Sequence, residues 1–427
     1  MSETIKAIRG MHDLLPNESD LWLNLESIFR ATFESYGYKQ IRTPIVEKTK
    51  VFSKAIGDVT DIVEKEMYSF IDKSDDSLSL RPEGTAGSVR LMIEHNLLRE
   101  GIQKVWYQGQ MFRRERPQKG RYRQFHQAGI EIYGSNSPKA DAELIAVTNN
   151  LWNSLKLNNI NLEINSLGSD ADRLSYKKDL VKFLKQNKAK LDADSVKRLA
   201  SNPLRILDSK NPEIKNLLLN APIITDYLNT ESSENFEVFK RYLDEMAIDY
   251  TINPYLVRGL DYYNDIVFEW ITADLGAQGT ICGGGRYDSL INKLGGSDTP
   301  ATGFAIGIER LVLLLKNNGI NLENNRTKVY VVSVGDKAKL KSIKIISDLV
   351  VKIPNLIVYN DITETSFKSQ FKKADKSNAD FALILAEEEL EKNLISIKKL
   401  RGNSYQKMLS FDEIVKILID TKDEKNY

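Results

Sequence analysis

Residues Phe112 to Gly134 read FRRERPQKGRYRQFHQAGIEIYG. Six basic side chains, Arg113, Arg114, Arg116, Lys119, Arg121 and Arg123, fall within eleven positions of it. A run of that kind is by default a solvated basic loop. Its flanks say more. Upstream YQGQMFR and downstream RQFHQAGIEIYG are strand-like, and PQKG between them supplies a turn. The segment therefore predicts an antiparallel hairpin that sets Arg113 beside the strand of Phe125 and Gln127. A guanidinium, an aromatic face, a carboxamide and carboxylates then converge. Such a set suits a nucleotide, because a guanidinium forks onto phosphate and also lies flat on a ring. Phe125 offers a stacking face for a base.

Outward from the hairpin, strand-like runs recur at Ser77 to Arg81, Asn161 to Asn165, Asp265 to Ile271 and Gly303 to Ile306. Their short spacings predict an antiparallel sheet. Leu21, Trp22, Leu25, Ile28, Phe29 and Phe33 recur at helical spacing between Pro16 and Gly37, which predicts an amphipathic helix. Pro44, which cannot donate to a ladder, marks YKQIRTPIVE as an edge or interface strand. From about 170 to 250 the texture turns to Lys- and Leu-rich helical periodicity, as in DLVKFLKQNKAKLDADSVKRLA, and a helical insertion is expected. KNNGINLENNR, Lys316 to Arg326, reads as a polar linker. Beyond it VYVVSV, LIVY and FALILA are short apolar runs between helical patterns, the signature of a compact α/β domain. Residues 326–427 carry 19 Lys and Arg against 15 Asp and Glu, a small excess for meeting a phosphate backbone.

Four further segments carry chemistry. LRPEGTA, Leu80 to Ala86, puts Glu83, Gly84 and Thr85 on a turn after a strand, where a carboxylate and hydroxyl can bind an ammonium ion or simply be solvated. LVRGLDYYNDIVFEW, Leu256 to Trp270, holds Arg258 beside a glycine. If extended, it points Tyr262 and Tyr263 to opposite faces, with one of them in the core. CGGGRYDSL, Cys282 to Leu290, lacks the ending of a P-loop, so its glycines are expected to make a tight turn or a close approach to a ligand. In TGFAIGIERLVLLL, Arg310 opens a helix, either as a surface residue or as a ligand contact.

A length of 427 residues predicts two or three domains. The longest aliphatic run, Leu311 to Leu315, is far too short to span a bilayer, and MSETIKAIRG has no secretory pattern, so a cytoplasmic protein with no membrane association is expected. The single Cys282 excludes an intrachain disulfide and a Cys-based zinc cluster. His12, His95 and His126 have no helical ligand spacing, so no protein-bound structural metal is expected. A net charge of +1 leaves a nucleic-acid partner to local patches.

Taken in order, RGMHDLLP, the strand ending at Pro44, FRRERPQKGRYRQFHQ, LVRGLDYY, GGGRYDSL and GFAIGIERL resemble the histidyl-tRNA synthetase family, over nearly the whole chain. LVRGLDYY and FHQAGIE are specific to the histidine enzymes among the class II synthetases. The resemblance implies an α+β class II fold: an antiparallel sheet flanked by helices, dimeric through the segment of the strand that ends at Pro44, the family's motif 1. It divides the chain into catalytic core at 1–170 and 251–322, helical insertion at 171–250, and a C-terminal α/β anticodon-binding domain at 326–427. By the same resemblance, Glu83, Thr85 and Gln127 hold the amino group of L-histidine and Glu131 and Tyr263 face its imidazole, with Gly84, Tyr262 and Arg258 also among the histidine-binding residues. Arg113 and Arg258 flank the α-phosphate of ATP, which arrives with Mg2+. Glu115 and Phe125 contact adenine, Arg121 and Arg310 the outer phosphates, and Arg116 and Gln118 the acceptor end of tRNA(His). Gln110 departs from the proline many members have, and Ala386 from a common glycine.

Two rivals remain in view. One is the synthetase-like regulatory subunit of a short ATP phosphoribosyltransferase, which lacks the last domain and tends to lose catalytic positions. The other is a noncatalytic RNA-binding protein using the basic hairpin, which leaves the pocket residues without a purpose.

Overall fold

The computed structural model describes residues 4–57, 60, 62–322, 326–363 and 365–425. Residues 323–325 of the expected linker, residues 1–3 of the opening segment and the last two residues lie outside that set. The chain forms two compact units, 1–322 and 323–427.

In the first unit the helices are α1 (Pro16–Ser35), α2 (Thr49–Ile56), α3 (Thr85–Glu94), α4 (Pro138–Ser154), α5 (Asp170–Gln186), α6 (Ala193–Ser201), α7 (Pro212–Leu218), α8 (Thr230–Glu245), α9 (Leu290–Lys293) and α10 (Ile308–Asn317). Strands β1 (Lys39–Gln40), β5 (Gln103–Phe112), β6 (Gln124–Tyr133), β7 (Asn161–Ser166), β8 (Tyr250–Ile252), β9 (Asn264–Ile271), β10 (Thr280–Arg286) and β11 (Ala301–Gly307) make one sheet, ordered β1-β5-β6-β11-β10-β9-β7-β8. Strands β2 (Val46–Lys48), β3 (Tyr68–Ile71) and β4 (Ser77–Leu80) form a separate small sheet. The large sheet is antiparallel except at its edges, where β1 runs parallel to β5 and β8 parallel to β7.

The alternation of the strands separates two cores. Trp106, Ile130, Ile132, Ile266, Phe268, Phe304 and Ile306 face one way, against Trp22, Leu25, Phe29 and Phe33 of α1 and Phe236, Phe239 and Leu243 of α8. Val105, Tyr133, Val267 and Ala301 face the other way, against α2, α3 and the insertion residues Tyr176, Leu180, Ile206 and Leu207. Burying each large apolar side chain stabilises the fold by about 1.5–3 kcal/mol. α8 therefore belongs to the first core, while α5 to α7 pack on the second.

Three expectations need correction. The run after Cys282 is not a turn but the interior strand β10, flanked by β9 and β11. Helix α10 continues through Lys316 and Asn317, and Ile320 and Leu322 pack on the first core, so the polar stretch begins as structure. Tyr262 and Tyr263 are both buried, at 1% and 6% exposure, because Val257 to Tyr263 is an irregular loop and strand alternation does not apply.

In the second unit β12 (Lys328–Ser333), β13 (Ile357–Asn360), β14 (Phe381–Leu385), β15 (Ile395–Lys399) and β16 (Gln406–Leu409) order as β13-β12-β14-β15-β16, with β12 parallel to both neighbours. Helices α11 (Asp336–Lys352), α12 (Phe367–Lys376), α13 (Glu387–Lys392) and α14 (Phe411–Lys425) accompany them. Both faces of β12 and β14 are buried, which is why they read as continuous apolar runs. Among the described residues, no helix is long and apolar enough to cross a membrane.

Candidate active site

A cavity of about 210 Å³ opens on the side of the sheet that carries the second core. Its floor comes from the hairpin. Antiparallel pairing sets Gly109 opposite Gln127, Met111 opposite Phe125 and Val105 opposite Glu131.

Four arginines line it: Arg113, Arg121, Arg258 and Arg310. Arg113 donates from Nε to Pro82 O at 2.9 Å, and its Cζ lies 5.2 Å from the centre of the Phe125 ring. Arg121 pairs with the buried carboxylate of Glu115, and Arg258 with Glu269 of β9. Arg310 donates to Gly120 O at 3.2 Å and Thr280 O at 2.8 Å. Burial, then repulsion from Arg121, Arg113 and Arg258, lowers its pKa to about 10, so it stays charged at neutral pH. Cations that converge on one cavity are stabilised by an anion placed among them.

The other neighbourhood is acidic and phenolic. Glu83 accepts from the backbone N–H of Thr85 and Ala86, at 2.7 and 2.8 Å, in the first turn of α3. Burial raises its pKa, while those N–H groups and Arg113 oppose the rise. Glu131 is fully buried on β6 and accepts from Thr85 Oγ1 at 2.8 Å and from the Tyr287 hydroxyl. Burial pushes its carboxyl up to about 8. The absence of a side chain at Gly303, its register partner on β11, makes room for that carboxylate. The rings of Tyr262, Tyr263 and Tyr287 cluster with centres 4.6–6.4 Å apart.

Arg113 and Arg258 join the two neighbourhoods. Arg113 contacts the Glu83 turn, and Arg258 Cζ lies 5.7 Å from the Tyr263 ring centre. Gln127 Oε1 and Arg258 Nε are buried without a hydrogen-bond partner among the described residues. Buried polar atoms that a fold leaves unpaired beside a cavity are the ones a ligand satisfies.

Of the residues singled out in the sequence, Glu83, Thr85, Arg113, Glu115, Arg121, Phe125, Gln127, Arg258, Tyr262, Tyr263 and Arg310 line the cavity. Glu131 stands behind Thr85 rather than in the wall, and Gly84 caps α3 with its Cα against the Tyr107 ring. Arg116 and Gln118 are exposed in the hairpin loop, where Gln118 and Arg121 exchange backbone bonds of 3.0 and 2.9 Å. Sequence reasoning missed Glu269 and Tyr287. Tyr287 sat in a quoted motif, and Glu269 is a lone carboxylate inside the apolar run VFEW. Among the described residues, no group of three or more His, Cys, Asp or Glu is placed to hold a metal ion.

The sequence and the fold as a whole are similar to those of known proteins. The sequence profile of histidyl-tRNA synthetase matches residues 10–311, and that of the anticodon binding domain matches residues 328–421. The chain is 58% identical to the histidine–tRNA ligase of Ruthia magnifica subsp. Calyptogena magnifica, over 99% of this chain and 100% of that one. With the histidine–tRNA ligase of Hydrogenovibrio crunogenus it shares 50% identity over 98% of each. The crystal structure of the apo S. aureus histidyl-tRNA synthetase superposes with a TM-score of 0.81 at 36% identity, covering 97% of this chain and 100% of that one. A profile spanning well over half the sequence, with relatives this similar from end to end, places the chain in the histidyl-tRNA synthetase family, among the aminoacyl-tRNA synthetases.

Proposed function

We propose that this chain activates L-histidine with ATP and transfers it to tRNA(His), with the residues of the cavity in the roles that follow. The observation that carries the reading is the junction: an arginine cluster suited to a polyphosphate meets a carboxylate and tyrosine pocket suited to an amino acid, with Arg113 and Arg258 at the boundary. Glu83, Thr85 and the unpaired Gln127 receive the ammonium group, with Gly84 forming the turn. Tyr263 and Glu131, steadied by Tyr262 and Tyr287, receive the imidazole. In its ionised form each Glu131 oxygen keeps a lone pair beyond those used by Thr85 and Tyr287, so it can still accept from a ring N–H. A pocket built from such groups rejects apolar amino acids, which leave them unpaired.

The histidine carboxylate, already ionised, attacks the α-phosphorus; the bond to the bridging oxygen breaks and pyrophosphate leaves, giving histidyl-adenylate. Arg113 and Arg258 stabilise the charge that builds on the α-phosphate oxygens. Arg121 and Arg310 hold the outer phosphates, and Phe125 and Glu115 the adenine. Mg2+ enters with ATP as part of the substrate. In the second step a terminal hydroxyl of the tRNA attacks the carbonyl carbon and AMP leaves. Arg116 and Gln118, exposed on the loop, approach the acceptor end.

Residues 1–170 and 251–322 form the catalytic core, 171–250 the insertion and 326–427 the anticodon-binding domain of a cytoplasmic enzyme. A homodimer is supported by the small sheet, where Val46, Phe70 and Ile71 are 40%, 46% and 63% exposed beside Ile45. Histidine-dependent exchange of pyrophosphate into ATP tests the reading: exchange is expected, and RNA binding without it defeats the proposal.

A further inference from the structure

Arg258 sits on an irregular loop, Val257 to Tyr263, so something outside the loop must fix its position. From the core side, Asp261 N reaches Ile56 O at the end of α2 over a long 3.4 Å. The Arg258 side chain also pairs with Glu269 of β9. The other hydrogen bonds that reach the loop, among the described residues, come from the insertion. Asn202 Nδ2 donates to both carboxylate oxygens of Asp261, at 3.0 and 3.1 Å. Arg205 Nη1 donates to the carbonyl of Arg258 itself at 3.2 Å. Arg173 of α5 donates to Tyr263 O.

Arg205 is built to make that bond. It lies in a one-turn 3-10 helix, Pro203–Ile206, whose Pro203 and Ile206 are buried. Its carbonyl accepts from Arg198 Nη1 of α6 at 3.1 Å, and its Nη2 lies 3.7 Å from Asp208. A side chain at Gly259 would stand 3.1 Å from Arg205 Nη1, so the glycine lets the guanidinium come close to the loop. Ile206 and Leu207 share a core with Leu256, Tyr262 and Tyr263. A few residues on, Lys210 is near enough to Arg121 and Arg310 to feel their charge.

We propose that Arg205 and Asn202 are positioning residues for adenylate formation: the insertion grips the loop and sets where Arg258 stands in the cavity. This rests on the role given to Arg258 above. Neither residue lines the cavity, so neither contributes binding to histidine or ATP directly. Their removal acts on kcat, through misplacement of a charge-stabilising group, more than on either KM.

The test is a mutant cycle read by pyrophosphate exchange on the full-length protein, with circular dichroism confirming the fold. Arg205→Met is expected to lower kcat about 10- to 100-fold, the range that misplacement of about 1 Å costs, with both KM values within about threefold of the parent. Arg205→Lys, which keeps one donor for the Arg258 carbonyl, recovers part of the loss. In an Arg258→Ala background the same Arg205→Met change is expected to cost less than about twofold, because the group it positions is gone. Asn202→Ala repeats the measurement at a second contact, and stands in if Arg205→Met does not fold. Parent-like kcat in both variants, or full additivity with Arg258→Ala, overturns the proposal. Absence of exchange by the parent instead defeats the functional reading on which it rests.

Discussion

The guanidinium of Arg258 rests against the backbone of Gly283, so close that a Cβ on Gly283 would stand 2.6 Å from Arg258 Cζ. Gly283 pairs across the ladder with Glu269, the carboxylate that Arg258 engages. A missing side chain on an interior strand thus forms part of the seat of a charged group. Gly283→Ala is expected to leave the fold intact, because the group it meets is the movable end of a long side chain. It should lower pyrophosphate exchange tenfold or more, on the order expected of a displaced catalytic group. Melting temperature and exchange rate are measured together; a fall in stability that accounts for the lost activity counts against the assignment.

Glu131 gives a pH signature. Its carboxyl lies near 8, well above the ordinary carboxylate value, because burial disfavours the charge. The folded protein therefore holds this proton more tightly than the unfolded chain, so the contribution to stability is full at acid pH and is lost as pH rises through about 8. Histidine binding runs the other way, since the ionised form is the better acceptor for the imidazole. The KM for histidine is expected to fall as pH approaches 8 and then level. Glu131→Gln should weaken histidine binding and abolish that inflection, with the KM for ATP within about twofold of the parent. Persistence of the inflection assigns it elsewhere.

The hairpin and α1 were legible because their signals are local: alternation around a turn for Arg113 and Phe125, and three-and-four spacing for Trp22 to Phe33. The glycine-rich strand β10 was not, because glycine carries no strand signal and its place depends on the neighbours that close over it. Tyr287 meets Glu131 across 156 positions of sequence, and Arg205 meets Arg258 across 53. No periodicity encodes such meetings. Both tyrosines of Tyr262 and Tyr263 are buried for a related reason: a loop obeys its surroundings rather than a repeat.

A buried pair away from the cavity sets a stability expectation. Arg286 donates to Asp141 at 2.5 Å and to the carbonyls of Ser135 and Ser137 at 2.9 and 3.2 Å, with Arg286 4% and Asp141 0% exposed. Arg286→Met leaves an acid buried without its cation, at a cost of about 3–5 kcal/mol. Asp141→Leu with Arg286→Met should recover much of that. Denaturant unfolding measures both; equal losses in the single and double variants contradict the account.

Ending the chain at Leu322 removes the second unit and leaves the first core whole, since Ile320 and Leu322 pack on it and Asn24 Nδ2 holds Leu322 O at 2.5 Å. The truncated protein is expected to form histidyl-adenylate at close to the parental rate and to charge tRNA poorly. Undiminished charging removes the anticodon role from residues 326–427.

Arg258→Ala tests the chemistry itself. The ground-state α-phosphate carries less charge on its free oxygens than the five-coordinate transition state, so a guanidinium held beside it acts chiefly on the rate. The side chain is held ready by Glu269, Tyr263 and Gly283, so it needs little reorganisation when the charge develops. By analogy with loss of one preorganised oxyanion donor, exchange should fall on the order of 10²–10³-fold, about 3–4 kcal/mol. Lysine should restore only part of the rate, because a point charge cannot engage phosphate and carboxylate as a planar fork does. Loss of Arg258 also frees Glu269, a carboxylate of 17% side-chain exposure, to repel the incoming anion. Arg258→Ala combined with Glu269→Gln is therefore expected to be faster than Arg258→Ala alone. Exchange by folded Arg258→Ala within about threefold of the parent, at saturating ATP and histidine, would leave Arg113 as the α-phosphate's arginine and assign Arg258 to neutralising Glu269.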